Sequence, residues 1–362
     1  MASYDLSVLD NWETYARLDP SRFINRIDSL PLQCQQAWLS GLEFDPPGAY
    51  SNCESILIAG MGGSAIGGDL LRDALSGEQA PPITTSRDYK LPRHVNSKSL
   101  VIVSSYSGNT EESISACQDA LDKGAKVIVL THARDGVLRR MSDQYGIPKF
   151  FVESEGEPRS ALGYCLLIPI AIMQNLGMIN SKDEDVLEAI QVLSLLVERL
   201  KSSVPATDNP AKLLAGRLFN KLTIIYGAEH LSGASRRWKT QLNENAKSLA
   251  FSEIIPEIHH NSAEGFRYPK SLKNKLAIIL LSAMTLNERT KYRYAVTRDL
   301  LESIGITNYT IDGLGKGILA QLLSTIVFGD YTSYYLGILN GLDPSKLHYV
   351  NLIRSKMYQR NY

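Results

Sequence analysis

Short apolar runs alternate with longer amphipathic stretches along most of the chain. In the first half, the runs ESILIAG, SLVIVSSY and AKVIVL each end in turn residues, and a stretch of helical length follows each of them. This alternation is typical of βαβ units, in which helices join parallel strands. The first half is therefore predicted to be a parallel sheet flanked by helices.

The same alternation begins again after residue 205. LTIIYGAE, KLAIILLSA and NYTID predict strands, whereas SGASRRWKTQLNENAK and RTKYRYAVTRDLLESIG predict helices. The second half is therefore predicted to be another α/β unit of the same kind.

The region between the two units predicts a helix and a linker. DEDVLEAIQVLSLLVERL has apolar residues at helical spacing, and the polar stretch KSSVPATDNP follows it. Asn209 before Pro210 predicts the cap of the next helix. We therefore predict an α/β fold with a helical segment over residues 1–50 that packs on the core, a first domain over 51–203 and a second domain over 204–362.

The composition argues against several classes of protein. The 362 residues include 38 Lys and Arg and 38 Asp and Glu, so no basic surface for nucleic acid is indicated. The start of the chain lacks the pattern of a signal peptide, and no run of about 18 apolar residues suggests a membrane span. The four cysteines are scattered, as is typical of reduced thiols. We expect a cytoplasmic protein without nucleic-acid or membrane partners.

A cluster of glycines follows the first predicted strand, in the stretch IAGMGGSAIGGDLLRDAL. Glycine allows positive φ and lets other groups approach the backbone closely. A strand, a glycine turn and a helix N-terminus together form an arrangement that binds anions. Gly60-x-Gly62-x-x-Ala65 also fits a dinucleotide fingerprint, with Asp88 as the acidic residue, but such a match alone is weak.

A second polar loop, SSYSGNTEES, follows the strand SLVIV. Ser105, Ser107 and Thr110 bring three hydroxyls to the carboxyl end of that strand, where parallel sheets bind ligands. Hydroxyls and free helix N–H groups suit a phosphate monoester, which favours a phosphosugar over a dinucleotide. The alternative interpretation is that the segment merely caps a helix, with Asn109 and Glu112 as an approximate capping box.

The second half contains a carboxylate and two imidazoles that could transfer protons. Glu244 lies on a predicted helix with Lys247 three residues later, and His259 and His260 precede Asn261 in a loop. A carboxylate together with an imidazole suits proton transfer near neutral pH. Base rates favour an ordinary surface or structural residue for each of them, and the spacing does not decide between the two interpretations.

Taken together, these stretches resemble the bifunctional phosphoglucose/phosphomannose isomerases, a family built from two sugar isomerase (SIS) domains. The resemblance runs from DPSRFINRIDSLPLQ to the last predicted helix. Six motifs carry it in order: GMGGSAIGGDLL, SRDYKLP, SYSGNTEE, EPRSALGY, YGAEHLSGASRRWKTQLNENAKS and IPEIHHN. It implies two SIS domains, each a parallel sheet flanked by helices.

The resemblance also implies which residues bind the substrate and which act on it. The residues that match the sugar loop and the phosphate cradle are Gly62, Gly63, Ser64, Ser105, Ser107 and Thr110. Arg159 matches the group that stabilises the enediolate, and Glu244 matches the base that moves the proton between C1 and C2. His260 matches the ring-opening residue, which reaches the site from the partner subunit. Lys356 on the final helix matches a lysine that assists ring opening.

The implied reaction interconverts glucose 6-phosphate and fructose 6-phosphate, and mannose 6-phosphate as well, through a cis-enediolate. The resemblance implies neither a metal nor an organic cofactor, and sharing of His260 implies a homodimer. Asn261 after the histidine pair favours His260 over His259. Two alternatives stay open. One is a non-catalytic phosphosugar-binding regulator, against which the balanced charge counts. The other is an NAD-dependent dehydrogenase, based on the glycine fingerprint alone.

Overall fold

Two parallel sheets form the framework of the structure, a computed structural model that describes residues 5–359. The strands are β1 Ser55–Ala59, β2 Ile83–Ser86, β3 Ser99–Ser104, β4 Lys126–Thr131, β5 Lys149–Phe151, β6 Leu222–Gly227, β7 Ala250–Ile254, β8 Leu276–Ser282 and β9 Thr307–Asp312. The first sheet has the order β2-β1-β3-β4-β5 and the second the order β7-β6-β8-β9. Neighbouring strands within each sheet run parallel.

Helices connect the strands and cover the sheets. They are α1 Trp12–Leu18, α2 Phe23–Asp28, α3 Leu30–Glu43, α4 Gly62–Ala74, α5 Glu111–Asp122, α6 Val137–Tyr145, α7 Leu162–Asn175, α8 Asp183–Leu200, α9 Pro210–Leu218, α10 Ser232–Glu244, α11 Glu288–Ser303, α12 Ile318–Leu339 and α13 His348–Gln359. Within residues 5–359, no helix has the length and apolar character of a membrane span.

The two sheets face each other through α4 and α10. Crossovers between parallel strands are right-handed, so connections that run in opposite directions along a sheet leave their helices on opposite faces. α4 connects β1 to β2 and α10 connects β6 to β7, and these two helices pack against each other. α5 and α11 connect strands in the opposite direction, so they cover the outer faces.

The larger of two hydrophobic cores runs through both halves of the molecule. It includes Leu9 of the N-terminal segment, Ile58 of the first sheet, Ile225 of the second and Tyr335 of α12. Side chains alternate between the faces of a strand, and the other face of the first sheet forms a smaller core with α5 and α6. The two halves therefore bury their inner faces in one common core.

The strands and helices predicted from the longer runs are confirmed, whereas three short strands were not predicted. β2, β5 and β7 each form an edge of a sheet and contain polar or partly exposed residues. The predicted cap of α9 is confirmed, because Asn209 Oδ1 accepts from the amides of Ala211 and Lys212 at 3.0 and 3.1 Å. Residues 1–4 of the predicted N-terminal segment and 360–362 of the predicted second domain lie outside the described residues.

The predicted linker is tied to the molecule by a buried lysine. Nζ of Lys212 donates to the carbonyl oxygens of Ser202 and Val204 at 2.9 and 2.8 Å, and to that of Leu9 at 2.7 Å. The connection between the halves is therefore anchored to the N-terminal segment.

Candidate active site

The glycine turn, residues 60–63 after β1, leaves open space in front of α4. Gly62 has φ of +52°, and a Cβ added there would meet no atom within 4 Å. Met61 caps α4 without a side-chain hydrogen bond. Gly63 is required for a different reason, because a Cβ there would lie 2.8 Å from the backbone nitrogen of Arg159. Gly63 therefore lets the Arg159 backbone approach the turn.

The loop over residues 105–110, which we call the hydroxyl loop, follows β3 at the same edge of the first sheet. Ser105 Oγ donates to Thr110 Oγ1 at 3.1 Å, and the hydroxyls of Ser107 and Thr110 are 3.5 Å apart. Gly108 turns the loop with φ of +65°, and a Cβ there would crowd Thr131 Oγ1 at 3.2 Å. The structure therefore brings the three predicted hydroxyls together.

A hydrogen bond joins the glycine turn to the hydroxyl loop. The amide of Tyr106 donates to Ser64 Oγ at 3.3 Å, and Ser64 is buried. Ser64 thus fixes the spacing of the two loops, which lie side by side because β1 and β3 are neighbours in the sheet.

The capping-box interpretation of the hydroxyl loop is wrong. Asn109 Oδ1 accepts from the amide of Val137 at 3.0 Å, so it holds the next loop instead. Thr110 is the N-cap of α5, and the cap makes no side-chain hydrogen bond. The N-terminus of α5 is therefore left for another group to approach.

Arg159 lies buried between the two halves of the molecule. Its Nε donates to Asn245 Oδ1 at 2.9 Å, and its Nη2 donates to the carbonyl oxygens of Pro344 and Ser345 at 2.9 and 3.2 Å. Its guanidinium also lies over the ring of Phe23, at 4.9 Å from the centroid. Five donors in a fixed planar fork suit arginine to such a multiply held position.

Glu244 faces Arg159 from the end of α10. Its Oε2 lies 3.4 Å from Arg159 Nη1, and 27% of the Glu244 side chain remains exposed. Burial lowers the pKa of Arg159, and the Glu244 carboxylate opposes that shift. The backbone of Arg159 packs directly on Gly63, so the residue that pairs with Glu244 adjoins the glycine turn.

Several residues that hold Arg159 were not identified from the sequence. Asn245 is buried, and its Nδ2 donates to Ser333 Oγ at 3.0 Å. Arg237 donates to the Arg159 carbonyl at 2.9 Å and forms a buried ion pair with Asp330 at 2.8 Å. Of these residues, Asn245 could have been identified from the sequence as part of the site, because it directly follows the predicted base Glu244.

The two neighbouring histidines differ in their surroundings. Nε2 of His259 lies 2.7 Å from Thr297 Oγ1, and its Nδ1 lies 2.9 Å from Arg293 Nη1, so both ring nitrogens are engaged with α11. Burial, the charge of Arg293 and the charge of His260 lower the pKa of His259. The side chain of His260 is exposed and makes no hydrogen bond within residues 5–359.

Lys356 lies on the exposed helix α13. Among the described residues it makes no hydrogen bond or ion pair with Arg159 or Glu244. The residues before α13 do contact the site, because Pro344 and Ser345 accept hydrogen bonds from Arg159. Thus the structure brings Arg159 and Glu244 together, whereas Lys356 contacts neither within one chain.

The polar groups at this edge are suited to an anion and to proton transfer. No cluster of three or more His, Cys, Asp or Glu side chains in the described part of the chain is arranged to hold a metal ion. Hydroxyls, helix N–H groups and a guanidinium can bind an anion, and a carboxylate can accept a proton. The arrangement can therefore bind an anionic substrate and exchange one of its protons.

Comparisons with known proteins identify the fold of both halves. Residues 207–357 match the family described as the bacterial phospho-glucose isomerase C-terminal SIS domain, and residues 49–145 match the SIS domain. The fold is similar to that of a hypothetical protein from Thermus thermophilus, with a TM-score of 0.74 and 17% identity over 96% of this chain and 94% of that chain. At that identity the similarity shows the fold alone.

Relatives with closer sequences identify the family. The chain is 38% identical to the bifunctional phosphoglucose/phosphomannose isomerase of Caldicellulosiruptor bescii, over 91% of this chain and 97% of the relative. It is 31% identical to the protein of the same name from Aquifex aeolicus, over 84% of this chain and 90% of the relative. With two SIS domains, each a parallel sheet flanked by helices, the chain belongs to the family of bifunctional phosphoglucose/phosphomannose isomerases.

Proposed function

We propose that the protein is an aldose–ketose isomerase that interconverts glucose 6-phosphate, fructose 6-phosphate and mannose 6-phosphate. One observation carries this proposal: the Glu244 carboxylate lies 3.4 Å from the buried guanidinium of Arg159, whose backbone adjoins the glycine turn, and a hydrogen bond joins that turn to the hydroxyl loop. A base and a cation that stabilises an enediolate are the groups that the reaction requires.

The phosphate binds at the hydroxyl loop. Ser105, Ser107 and Thr110 supply hydroxyl donors, and the N-terminus of α5 supplies N–H groups and the positive end of the helix dipole. The open backbone at Gly62 lets the sugar lie along the neighbouring turn towards Glu244.

Proton transfer uses Glu244 and Arg159. Glu244 takes the proton from C2 of the open-chain aldose; the C–H electron pair forms the C1=C2 double bond, and the carbonyl electron pair moves to O1. Arg159 stabilises the negative charge that develops on the enediolate oxygens, where a fixed cation is most effective. Return of the proton to C1, with transfer of the O2 proton to O1, yields fructose 6-phosphate.

A planar intermediate allows one site to form both epimers. C2 is trigonal in the enediolate, so a proton returned to one face gives glucose 6-phosphate and a proton returned to the other gives mannose 6-phosphate. Both relatives described above carry the bifunctional name. We therefore propose both activities for this chain.

Ring opening is assigned to His260 and Lys356. An imidazole can move the proton between the ring oxygen and the anomeric hydroxyl near neutral pH. Among the described residues the ring of His260 makes no hydrogen bond, whereas both ring nitrogens of His259 have hydrogen-bond partners. Lys356, on the exposed helix α13, assists this step, which precedes proton transfer at C2.

The fold supports a homodimer in which His260 acts in the site of the other subunit. Ala250 at the start of β7 donates to Asn243, next to Glu244, whereas His260 follows the end of β7. At ~3.3 Å per residue, the two ends of β7 lie roughly 13 Å apart. In addition, α10 and α11 cover opposite faces of the sheet. Glu244 and His260 of one chain are therefore poorly placed to share a substrate.

An apolar stripe beside His260 fits such a dimer. Tyr292, Val296 and Leu300 recur every four residues on α11 and are 61%, 45% and 38% exposed. Residues at this spacing lie on one face of a helix, and contiguous exposed apolar surface is typical of interaction sites. The stripe adjoins Arg293, which contacts His259.

The cellular setting and the domain boundaries are also proposed. All four cysteines are buried free thiols, which suits the cytoplasm, and the interconversion of these hexose phosphates belongs to glycolysis and gluconeogenesis. The division into residues 51–203 and 204–362 is consistent with the extents of the two sheets.

A coupled assay with each of the three hexose 6-phosphates tests this function. The purified chain is expected to form glucose 6-phosphate and mannose 6-phosphate from fructose 6-phosphate. Binding of fructose 6-phosphate without any turnover would contradict the isomerase and favour a phosphosugar-binding regulator. Formation of glucose 6-phosphate alone would contradict the second activity.

A further inference from the structure

The segment that leads into α13 crosses directly over Arg159. We call residues 343–345 the strap. Its Pro344 and Ser345 carbonyl oxygens accept hydrogen bonds from Arg159 Nη2 at 2.9 and 3.2 Å. The strap also holds its own shape, because Asp343 Oδ1 accepts from the amide and the hydroxyl of Ser345 at 2.9 and 2.7 Å.

Lys247 contacts the strap next to Arg159. Its Nζ donates to the carbonyl oxygens of Asp343 and Pro344 at 2.6 and 3.1 Å, and to that of Asn245 at 3.3 Å. The Pro344 carbonyl oxygen thus accepts from both a guanidinium and an ammonium. Like charges so close together repel each other, so the arrangement has an electrostatic cost.

The backbone at Lys247 is also unusual. Its φ is +51°, in the left-handed region that residues with a side chain seldom adopt. Such a conformation is unfavourable for lysine and persists where the surroundings require it. Lys247 therefore carries both a strained backbone and a costly charge at the edge of the active site.

The charge of Lys247 is held among several other charged groups. Burial and the neighbouring Arg159 guanidinium lower its pKa to about 8, whereas Asp343, Glu244 and Glu157 oppose the shift. The ammonium therefore predominates at neutral pH and is lost within the range of an ordinary assay.

We propose that Lys247 is a positioning residue that holds the strap against Arg159 and thereby sets where α13 begins. Only two residues, Lys346 and Leu347, separate the strap from the start of α13. The helix that carries Lys356 therefore starts from a point fixed by Arg159 and Lys247 together. This role presupposes the isomerase reaction proposed above, in which Lys356 assists ring opening.

The variant Lys247→Met tests this role, because methionine keeps much of the side-chain length and removes the ammonium. We expect kcat with fructose 6-phosphate to fall roughly 10- to 100-fold, the range for loss of hydrogen bonds from a charged group. KM should change less than about threefold, since the hydroxyl loop is untouched. Lys98→Met is the matched control, because Lys98 forms an exposed pair with Glu54 at 2.6 Å.

The variant Lys247→Arg separates positioning from a general loss of structure. Arginine keeps a cation that can reach the strap, so it should restore kcat to within several-fold of the unchanged chain. The kcat of the unchanged chain should decline above pH ~8 as Lys247 loses its proton, whereas the arginine stays charged and should keep its kcat to higher pH. This comparison works even if the methionine variant does not fold.

Either of two results would overturn the proposal. One is equal kcat for Lys247→Met and Lys98→Met; the other is an alkaline decline that stays at the same pH in Lys247→Arg. Absence of turnover in the unchanged chain would contradict the isomerase function instead. In that case, hydrogen exchange of the strap amides should still be faster in Lys247→Met than in Lys98→Met, and equal exchange would contradict the anchoring itself.

Discussion

At the carboxyl edge of each sheet a strand leads through a residue of positive φ towards a helix, but the surroundings of the two turns differ. After β1 the chain turns through Gly62, with φ of +52°, into α4; after β6 it turns through Glu229, with φ of +49°, towards α10. At the first edge the turn faces open space. At the second, both Glu229 carboxylate oxygens lie 3.2 Å from the amide of Asn287, the N-cap of α11.

The difference shows what turns a strand–turn–helix unit into a ligand site. Asn287 Oδ1 accepts from the Arg289 amide, so α11 is capped by its own side chain and approached by the Glu229 carboxylate. The corresponding cap of α5 at the first edge, Thr110, makes no side-chain hydrogen bond to the helix. At the second edge the amino end of α11 is therefore capped by its own chain, whereas at the first edge the amino end of α5 lacks a side-chain cap and, in the proposed mechanism, faces the substrate phosphate.

The second half contributes to the proposed site through other positions. Glu244 lies at the end of α10, near the amino edge of the second sheet, and there it meets Arg159 of the first half. His260 follows β7 at the carboxyl edge, where it is exposed. In the proposed mechanism, one half thus binds the phosphate, and the other supplies a base to its own chain and an imidazole to the partner.

The largest effect is expected at Glu244. Glu244→Gln removes the proton acceptor and keeps the shape, so kcat should fall about 10²- to 10⁴-fold, the usual share of a general base. Calorimetry should show that fructose 6-phosphate still binds. Glu54→Gln, a change at an exposed surface pair, is the matched control. Near-normal turnover in Glu244→Gln would rule out Glu244 as the base.

Mixing two inactive variants tests whether the second edge acts on the partner. Glu244→Gln and His260→Asn should each be nearly inactive. Unfolded and refolded together, they should recover about a quarter of full activity, because half of the dimers are mixed and one of their two sites contains both Glu244 and His260. Mixtures that stay inactive would contradict sharing of His260.

A smaller effect is expected from the hydroxyl loop. Thr110→Val removes one donor to the phosphate at constant shape, so KM should rise roughly tenfold or more, as for a hydrogen bond to a charged group. Thr84→Val, at an exposed position of β2, is the control. A KM unchanged by Thr110→Val would argue against the phosphate cradle.

The smallest effect is expected at Glu229. Glu229→Gly relieves a positive φ and removes the carboxylate from Asn287, and these two contributions offset each other to within about 1 kcal/mol of unfolding free energy. Turnover should stay within about twofold, because Glu229 has no part in the proposed reaction. A large loss of kcat in this variant would mean that the two edges do not differ as described.

The sequence predicted the parts of the fold whose signals are local. The runs that became β1, β3, β4, β6, β8 and β9 are distinct enough to be recognised alone. The edge strand β7 was missed because its sequence AFSEI has no continuous apolar run: polar Ser252 and Glu253 separate Phe251 from Ile254. Its pairing with β6, and not its composition, makes it a strand.

The candidate site was predictable to the extent that its residues lie in contiguous motifs. The hydroxyl loop lies within six residues, and three hydroxyls in such a loop are visible in the sequence. The contacts of Arg159 are not visible there, because Asn245 and Pro344 reach it from 86 and 185 residues away. Which long-range partners satisfy a buried cation depends on how the two sheets pack.

The central claim is that Glu244 exchanges a substrate proton at the first edge. The most direct measurement is proton NMR of fructose 6-phosphate in heavy water, with the unchanged chain and with Glu244→Gln. We expect the unchanged chain to form glucose 6-phosphate with deuterium at C2, and Glu244→Gln to bind the substrate without exchange. Deuterium incorporation that persists at the same rate in Glu244→Gln would contradict the account.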